Sequence, residues 1–313
     1  MSAKYIPKKF SVKIGIALGG GGARGFAHLG VLKALTRAGI ECDVVSGTSI
    51  GALVGAVYAG GDLEGLEKAA NQIGLTDIPM LLSPTLSIKG IFSGKSALEM
   101  LSEYIDIELI EELPKKFAAV SVDLRSYEKV IFKKGNLPEA VRASFAIPVL
   151  FTPVLNDEQV LVDGGTREPV PVEVCREMGA DFVIAVDLFG NTPNIEATNE
   201  FDRQLWPAGI SNALTYLSSF SAKLPLGNWF ERKEKAKIKS PNLIDILEGT
   251  LAISQYQITQ TRLSEHPPDI LIQPQVSHVG LLDFHRGEPI IELGEKAAED
   301  KIPEILAALR RKV

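Results

Sequence analysis

Residues 11–18, Ser11-Val12-Lys13-Ile14-Gly15-Ile16-Ala17-Leu18, form a β-rich apolar run that stops at a glycine cluster, residues 19–22. That pattern predicts a strand entering a loop. Beyond Gly25 the period changes: Ala27, Val31, Leu32 and Leu35 recur at helical spacing, and Gly39 follows as a stop signal. Strand, turn and helix then return at once, with Cys42-Asp43-Val44-Val45 as a short strand, Gly47-Thr48-Ser49-Ile50-Gly51 as the turn and residues 52–59 as a small-residue helix. Further strands are predicted at 117–122, 129–132, 159–162, 182–187 and 269–272, with helical patterns between most of them. The tail, 288–309, keeps helical periodicity through Ile291, Ala297, Ile302, Ile305 and Leu309 and should pack on the sheet. Such alternation predicts an α/β fold with a mainly parallel, doubly wound sheet and helices on both faces, a three-layer sandwich.

Two segments break the rhythm. Residues 78–94 carry Pro79, Met80, Leu81, Leu82, Pro84, Leu86, Ile91 and Phe92, an apolar loop that is unusual unless covered or used, and so a lid candidate. Residues 191–242 hold Trp206, Tyr216, Phe220, Trp229 and Phe230 and then the charged run 231–239, and read as an insertion. The chain is expected to be one domain, 1–313, with a core at about 14–190, the insertion at 191–242, and a closing strand and helix within 243–313. The uncharged stretch 44–61 spaces Gly47, Gly51 and Gly55 like a transmembrane dimer face. Its serines, threonine and closely spaced glycines favour a buried strand, sharp turn and helix instead.

Composition narrows the function classes. With 313 residues, 45% hydrophobic and 23% charged, the chain has globular proportions. Its 33 basic against 39 acidic residues give a net charge of −6, which repels phosphate backbones, so no nucleic-acid partner is expected. Cys42 and Cys175 cannot build a disulfide framework, and no Cys/His cluster offers a metal site. The basic N-terminus, residues 1–10, leads into no long apolar run, so a cytoplasmic protein without an export signal is expected.

Chemistry concentrates at three places. Gly47-Thr48-Ser49-Ile50-Gly51 matches G-x-S-x-G between a predicted strand and a predicted helix, the setting of a nucleophile elbow. Glycines flank the serine there because Cβ atoms would clash in so sharp a turn. Gly20-Gly21-Gly22-Ala23-Arg24-Gly25 also joins a strand to a helix, so its N–H groups can hold an oxyanion or a phosphate. A dinucleotide-binding oxidoreductase would use the same glycines with an acid about 20 residues on. Asp43 lies there, but at the start of its strand rather than the end. Asp163, before Gly164-Gly165, is a carboxylate at a strand end that can approach a serine as its base, or a plain turn. His266, His278 and His285 follow it, and His285 is the best partner for a triad; His28 sits inside the first helix and reads as packed. Gly90-Ile91-Phe92-Ser93-Gly94-Lys95-Ser96 resembles a P-loop but is one residue short between its glycines and follows no predicted strand. The run 232–239 reads as a solvated helix face or, beside Trp229 and Phe230, as a peripheral contact with anionic lipid headgroups.

Taken in order, the three motifs resemble the patatin-like phospholipase family, in particular its bacterial members related to the catalytic domain of neuropathy target esterase. The stretches Arg142-Ala143-Ser144-Phe145-Ala146-Ile147-Pro148 and Gly179-Ala180-Asp181 are similar to that family as well, while 191–242 is not. The resemblance implies a sheet of patatin type and a serine esterase with a Ser49–Asp163 dyad and no histidine. It further implies an oxyanion hole at Gly20, Gly21 and Gly22, with Arg24 and Gly25 supporting that loop. Gly47 and Gly51 would shape the elbow, and Gly164 and Gly165 the turn after the acid. The implied substrate is a lipid acyl ester, phospholipid or lysophospholipid, with no cofactor and no metal. A regulatory or protein-binding relative with weakened catalysis is the alternative.

Overall fold

The computed structural model describes residues 11–87, 89–190 and 243–312. The expected insertion, 191–242, with its aromatic and basic residues, lies outside them, as do residues 1–10.

The first strand, β1 (Ile14–Leu18), is buried along its whole length. Its parallel neighbours are β2 (Val44–Thr48) on one side and β9 (Phe182–Val186) on the other. β10 (Ile270–Ile272) extends the sheet beyond β9, and β5 (Lys116–Asp123) extends it beyond β2, both in parallel. Three antiparallel strands complete this sheet: β6 (Lys129–Phe132) and β8 (Gln159–Asp163) on β5, and β7 (Val154–Asn156) on β8. The result is a mixed, mostly parallel sheet in the order β10-β9-β1-β2-β5-β8-β7.

Because side chains alternate along a strand, β1 feeds two layers. Ile14, Ile16 and Leu18 join the larger core with α1 (Ala27–Arg37), α2 (Ile50–Gly60) and the C-terminal helix α9 (Gly287–Arg311). Ala17, with Val183 and Ala185, packs on the opposite face against Val172 and Cys175 of α7 (Val172–Glu177), where Leu263 of α8 (Leu243–Glu265) also rests. Helices therefore cover both faces, as the alternation predicts.

Two expectations need correction. β2 does not end at Val45 but continues through Ser46, Gly47 and Thr48, whose polarity hides the strand; β5 pairs with all three and β1 with the first two, and all three are buried. Residues 78–94 are not a loop. They form a short helix, α4 (Ile78–Leu82), and an antiparallel hairpin of β3 (Pro84–Ser87) and β4 (Gly90–Phe92), followed by α5 (Lys95–Tyr104). Leu82 and Phe92 belong to the core, while Met80 is 71% exposed. The P-loop look-alike is thus strand β4 and the left-handed Gly94 that precedes α5. The stretch 44–61 is β2, Ser49 and α2, and no helix among the described residues is long and apolar enough to cross a membrane.

Candidate active site

The site forms where β5 changes partners. Thr48 of β2 pairs with Val120, and Asp163 of β8 pairs with the next residue, Ser121. The end of one strand thereby meets the end of the other, and Ser49 and Asp163 converge although 114 positions separate them in the chain.

Ser49 has φ 57° and ψ −126°, a strained conformation for a residue with a side chain, at the joint between β2 and α2. Gly47 and Gly51 make that joint tight: a Cβ on Gly47 would strike the Gly51 carbonyl, and one on Gly51 would strike the Leu18 carbonyl. The Ser49 N–H donates to Ser144 Oγ at 2.9 Å, and the Ser144 hydroxyl in turn donates to the Val120 carbonyl at 2.6 Å. Sequence reasoning gave Ser144 no role; its place in a stretch of α6 (Leu137–Ser144) that resembles the family was the only signal.

Asp163 is fully enclosed. Its Oδ1 accepts the Gly165 N–H at 2.7 Å, while Oδ2 has no hydrogen-bond partner among the described residues. Burial pushes its pKa up from 3.8 to about 6, against the pull of the Ser49 hydroxyl and the Gly165 N–H. The hydroxyl is thus near enough to favour the carboxylate without the alignment of a formed hydrogen bond, a looseness common before substrate arrives. Gly164 lets this turn lie on β5, since a Cβ there would strike the Val120 carbonyl.

The glycine loop lies beside the serine, and a Cβ on Gly20 would sit 3.4 Å from that of Ser49. Its expected donors are not equivalent. The Gly20 N–H is already committed to the Pro169 carbonyl at 3.0 Å, which removes it from the expected oxyanion hole. Those of Gly21 and Gly22 have no partner among the described residues, and Gly22 holds φ +58° with the Leu281 carbonyl against its Cα. The N–H of Ile50, at the start of α2, is likewise without one, a donor that sequence reasoning passed over. Gly25 packs under Ile50 with no room for a Cβ. Arg24 is buried, donates to the Val279 carbonyl at 2.7 Å and lies 3.4 Å from Glu248, with its guanidinium over the Phe189 ring.

Among the described residues no hydrogen bond joins a histidine to Ser49 or Asp163. His28 is fully buried, and its Nε2 donates to the Gly19 carbonyl at 2.8 Å; burial lowers its pKa to about 4, so it is a neutral prop beneath the glycine loop. His285 makes no hydrogen bond to Ser49 or Asp163, although its neighbour Phe284 lines the cavity. Asp43 accepts the N–H of Ile14 at the start of β1, the wrong end of the sheet for a ribose-binding acid.

Ser49 opens into a cavity of about 680 Å³, mouth included, walled by Phe26, Leu53, Leu66, Leu82, Phe145 and Phe151 among other apolar side chains. Behind that wall, Arg142 donates to the carbonyls of Ser93 and Thr152 and faces the rings of Phe145 and Phe151. Among the described residues it has no carboxylate partner, and burial lowers its pKa to about 10. The arrangement combines a serine on a strained strand-to-helix turn, a buried carboxylate with a raised pKa, unpaired backbone donors and an apolar chamber, a set suited to acyl transfer from a hydrophobic ester.

The patatin-like phospholipase family model matches residues 16–176, and the chain belongs to that family. An uncharacterised NTE family protein of Mycobacterium bovis is 31% identical, over 92% of this chain and 91% of its own. A second such protein, from Mycobacterium tuberculosis, is 33% identical over 91% of this chain and 46% of its own. Patatin-like phospholipase domain-containing protein 6 of Mus musculus is 34% identical over 56% of this chain and 13% of its own. Among solved structures, VipD from Legionella pneumophila is loosely similar, with a TM-score of 0.37 at 16% identity over 94% of this chain and 77% of that one.

Proposed function

We propose that the protein is a serine esterase that hydrolyses acyl esters of phospholipids or lysophospholipids through a Ser49–Asp163 dyad. Membership of the patatin-like phospholipase family supports lipid-ester hydrolysis in general. The observation that carries the finer reading is the pairing of a serine at φ 57° with an enclosed carboxylate whose pKa burial raises to about 6. A base of that kind is mostly ionised at neutral pH, yet holds a proton far more readily than an exposed aspartate.

In this mechanism Asp163 takes the hydroxyl proton as Ser49 Oγ bonds to the ester carbonyl carbon. The N–H groups of Gly21 and Gly22 receive the resulting oxyanion, with the N–H of Ile50, the residue after the serine, as a further donor. Collapse breaks the carbon–oxygen bond to the alcohol, which leaves with the proton from Asp163. Water then attacks the acyl-enzyme, giving its proton to Asp163, and the proton returns to Ser49 Oγ as the fatty acid departs. The apolar chamber takes the acyl chain, and its burial supplies about 0.8 kcal/mol for each methylene removed from water.

Hydrolysis of a lysophosphatidylcholine series, followed by fatty-acid release, tests this reading. Activity should disappear in Ser49→Ala and Asp163→Asn and persist in His285→Ala. Full loss in His285→Ala would replace the dyad with a triad.

A further inference from the structure

Helix α8 faces the protein with mixed polarity. A helix packed on a core presents an apolar stripe. Here Leu247 and Leu251 pack on the larger core and Leu263 on the opposite-face cluster, but Glu248, Gln255, Thr259, Arg262 and His266 also turn toward the protein, while Ile246 and Ile253 are 52% and 57% exposed. Apolar packing therefore shares this interface with a row of polar contacts.

Besides bonds from Arg262 and His266 to Glu173, three of these residues reach parts of the candidate site. Glu248 Oε1 accepts the Leu281 N–H at 2.7 Å and pairs with Arg24 of the glycine loop at 3.4 Å, while the Leu281 carbonyl accepts the N–H of Ala23 in that loop. One heptad on, the Gln255 amide lies over Gly165, close enough that a Cβ there would come within 2.6 Å of Nε2. One heptad further, Arg262 donates to Glu168 Oε2 through Nε at 3.1 Å and Nη2 at 2.6 Å, and Lys129 Nζ reaches the same oxygen at 2.9 Å. Glu168 is 1% exposed, and its carbonyl accepts the hydroxyl of Thr48, next to the serine, at 2.8 Å. The neighbouring Pro169 carbonyl accepts the Gly20 N–H.

From these contacts we infer that α8 is a positioning helix, whose heptad-spaced Glu248, Gln255 and Arg262 hold the glycine loop and the loop after Asp163 in one frame. The inference rests on the dyad reading for its kinetic consequences, but its structural claim stands on the contacts alone. Fourteen residues from Glu248 to Arg262 span about 21 Å, enough for one rigid element to reach both loops. The polar stripe follows from that task, since loops present carbonyls, N–H groups and charged side chains that only polar partners can meet. None of these residues touches the reacting atoms; each acts through Arg24, Gly165 or Glu168.

Two measurements on the full chain test the inference. In the first, Glu248→Ala and Arg262→Ala are compared by turnover of p-nitrophenyl butyrate, with active sites counted by a fluorophosphonate. Each should lower kcat about 10- to 100-fold with KM within a factor of about two, because misplacement by an ångström costs that much. Arg262→Lys, which keeps charge and loses the two-pronged contact, should fall between. Wild-type kcat per labelled site in both alanine variants, alongside a lowered melting temperature, would make the stripe a stability feature and overturn the inference. In the second, amide hydrogen exchange is followed at residues 19–26 and 163–171. Each alanine variant should speed exchange in both loops; acceleration confined to the loop that the altered residue touches would overturn the single frame. If the wild type failed to react with the fluorophosphonate, the dyad reading would fail, and the exchange result would still decide the role of α8.

Discussion

Asp163→Asn should kill the enzyme and stabilise the protein, and the size of the second effect follows from the site. The carboxyl is enclosed, keeps one N–H donor at Oδ1 and has no cation beside it among the described residues, so burial raises its pKa from 3.8 to about 6. Each tenfold change in proton affinity is worth about 1.4 kcal/mol, so holding the carboxylate ionised in the fold costs about 3 kcal/mol as an upper bound. Because the folded pKa is raised, the native state is favoured while the group is protonated, and that advantage fades as pH rises through 6. Asparagine keeps the acceptor for Gly165 and carries no charge, so it escapes the penalty. Urea unfolding of both proteins should show the variant more stable by up to about 3 kcal/mol at pH 8, with the gap shrinking below pH 6 and vanishing near pH 4. A variant less stable than the wild type at pH 8 would mean that the folded protein favours the carboxylate, and the argument for Asp163 as a strained base would fall.

The same titration predicts that ester hydrolysis falls as pH drops through about 6, read as an acidic limb in kcat/KM of matching apparent pKa; an acidic limb near 4 would contradict it. Gly22→Ala, at φ +58° with the Leu281 carbonyl against it, should cost about 10² to 10³ in kcat by displacing an oxyanion donor, measured on a short soluble ester. Ser144→Ala leaves the Ser49 N–H buried and unsatisfied and should cost about 1–3 kcal/mol in urea unfolding together with a loss of turnover. Met100→Trp, narrowing the chamber, should lower hydrolysis of long-chain lysophospholipid while sparing a short-chain ester, and equal loss on both would place the acyl chain elsewhere.

What the sequence discloses and what it hides follow from how far apart the partners lie. The nucleophile elbow and the turn after Asp163 are legible because local backbone demands glycine at fixed offsets, and the structure finds backbone carbonyls pressed against Gly47, Gly51 and Gly164 and the Gln255 amide against Gly165. The parallel sheet is legible because strands buried on both faces read as unbroken apolar runs. β2 reads three residues short, since Ser46, Gly47 and Thr48 are polar or small and only pairing with β5 and β1 keeps them extended. Leu82 and Phe92 read as lid because nothing local says that α4 and the hairpin fold inward onto the core. The frame made by Glu248, Gln255 and Arg262 is invisible in one dimension: their partners, Arg24, Gly165 and Glu168, lie about 90 to 220 residues upstream, and the stripe resembles an ordinary solvated face.

The central claim is that Asp163, and no histidine, activates Ser49. It is tested most directly by the rate of fluorophosphonate modification of Ser49, followed by intact mass from pH 4.5 to 8.5 in the wild type, Asp163→Asn and His285→Ala. The account predicts a single adduct on Ser49, formed at a rate that rises through pH 6 in the wild type and in His285→Ala, and a slow rate without that rise in Asp163→Asn. A wild-type rate in Asp163→Asn, or its loss in His285→Ala, would contradict it.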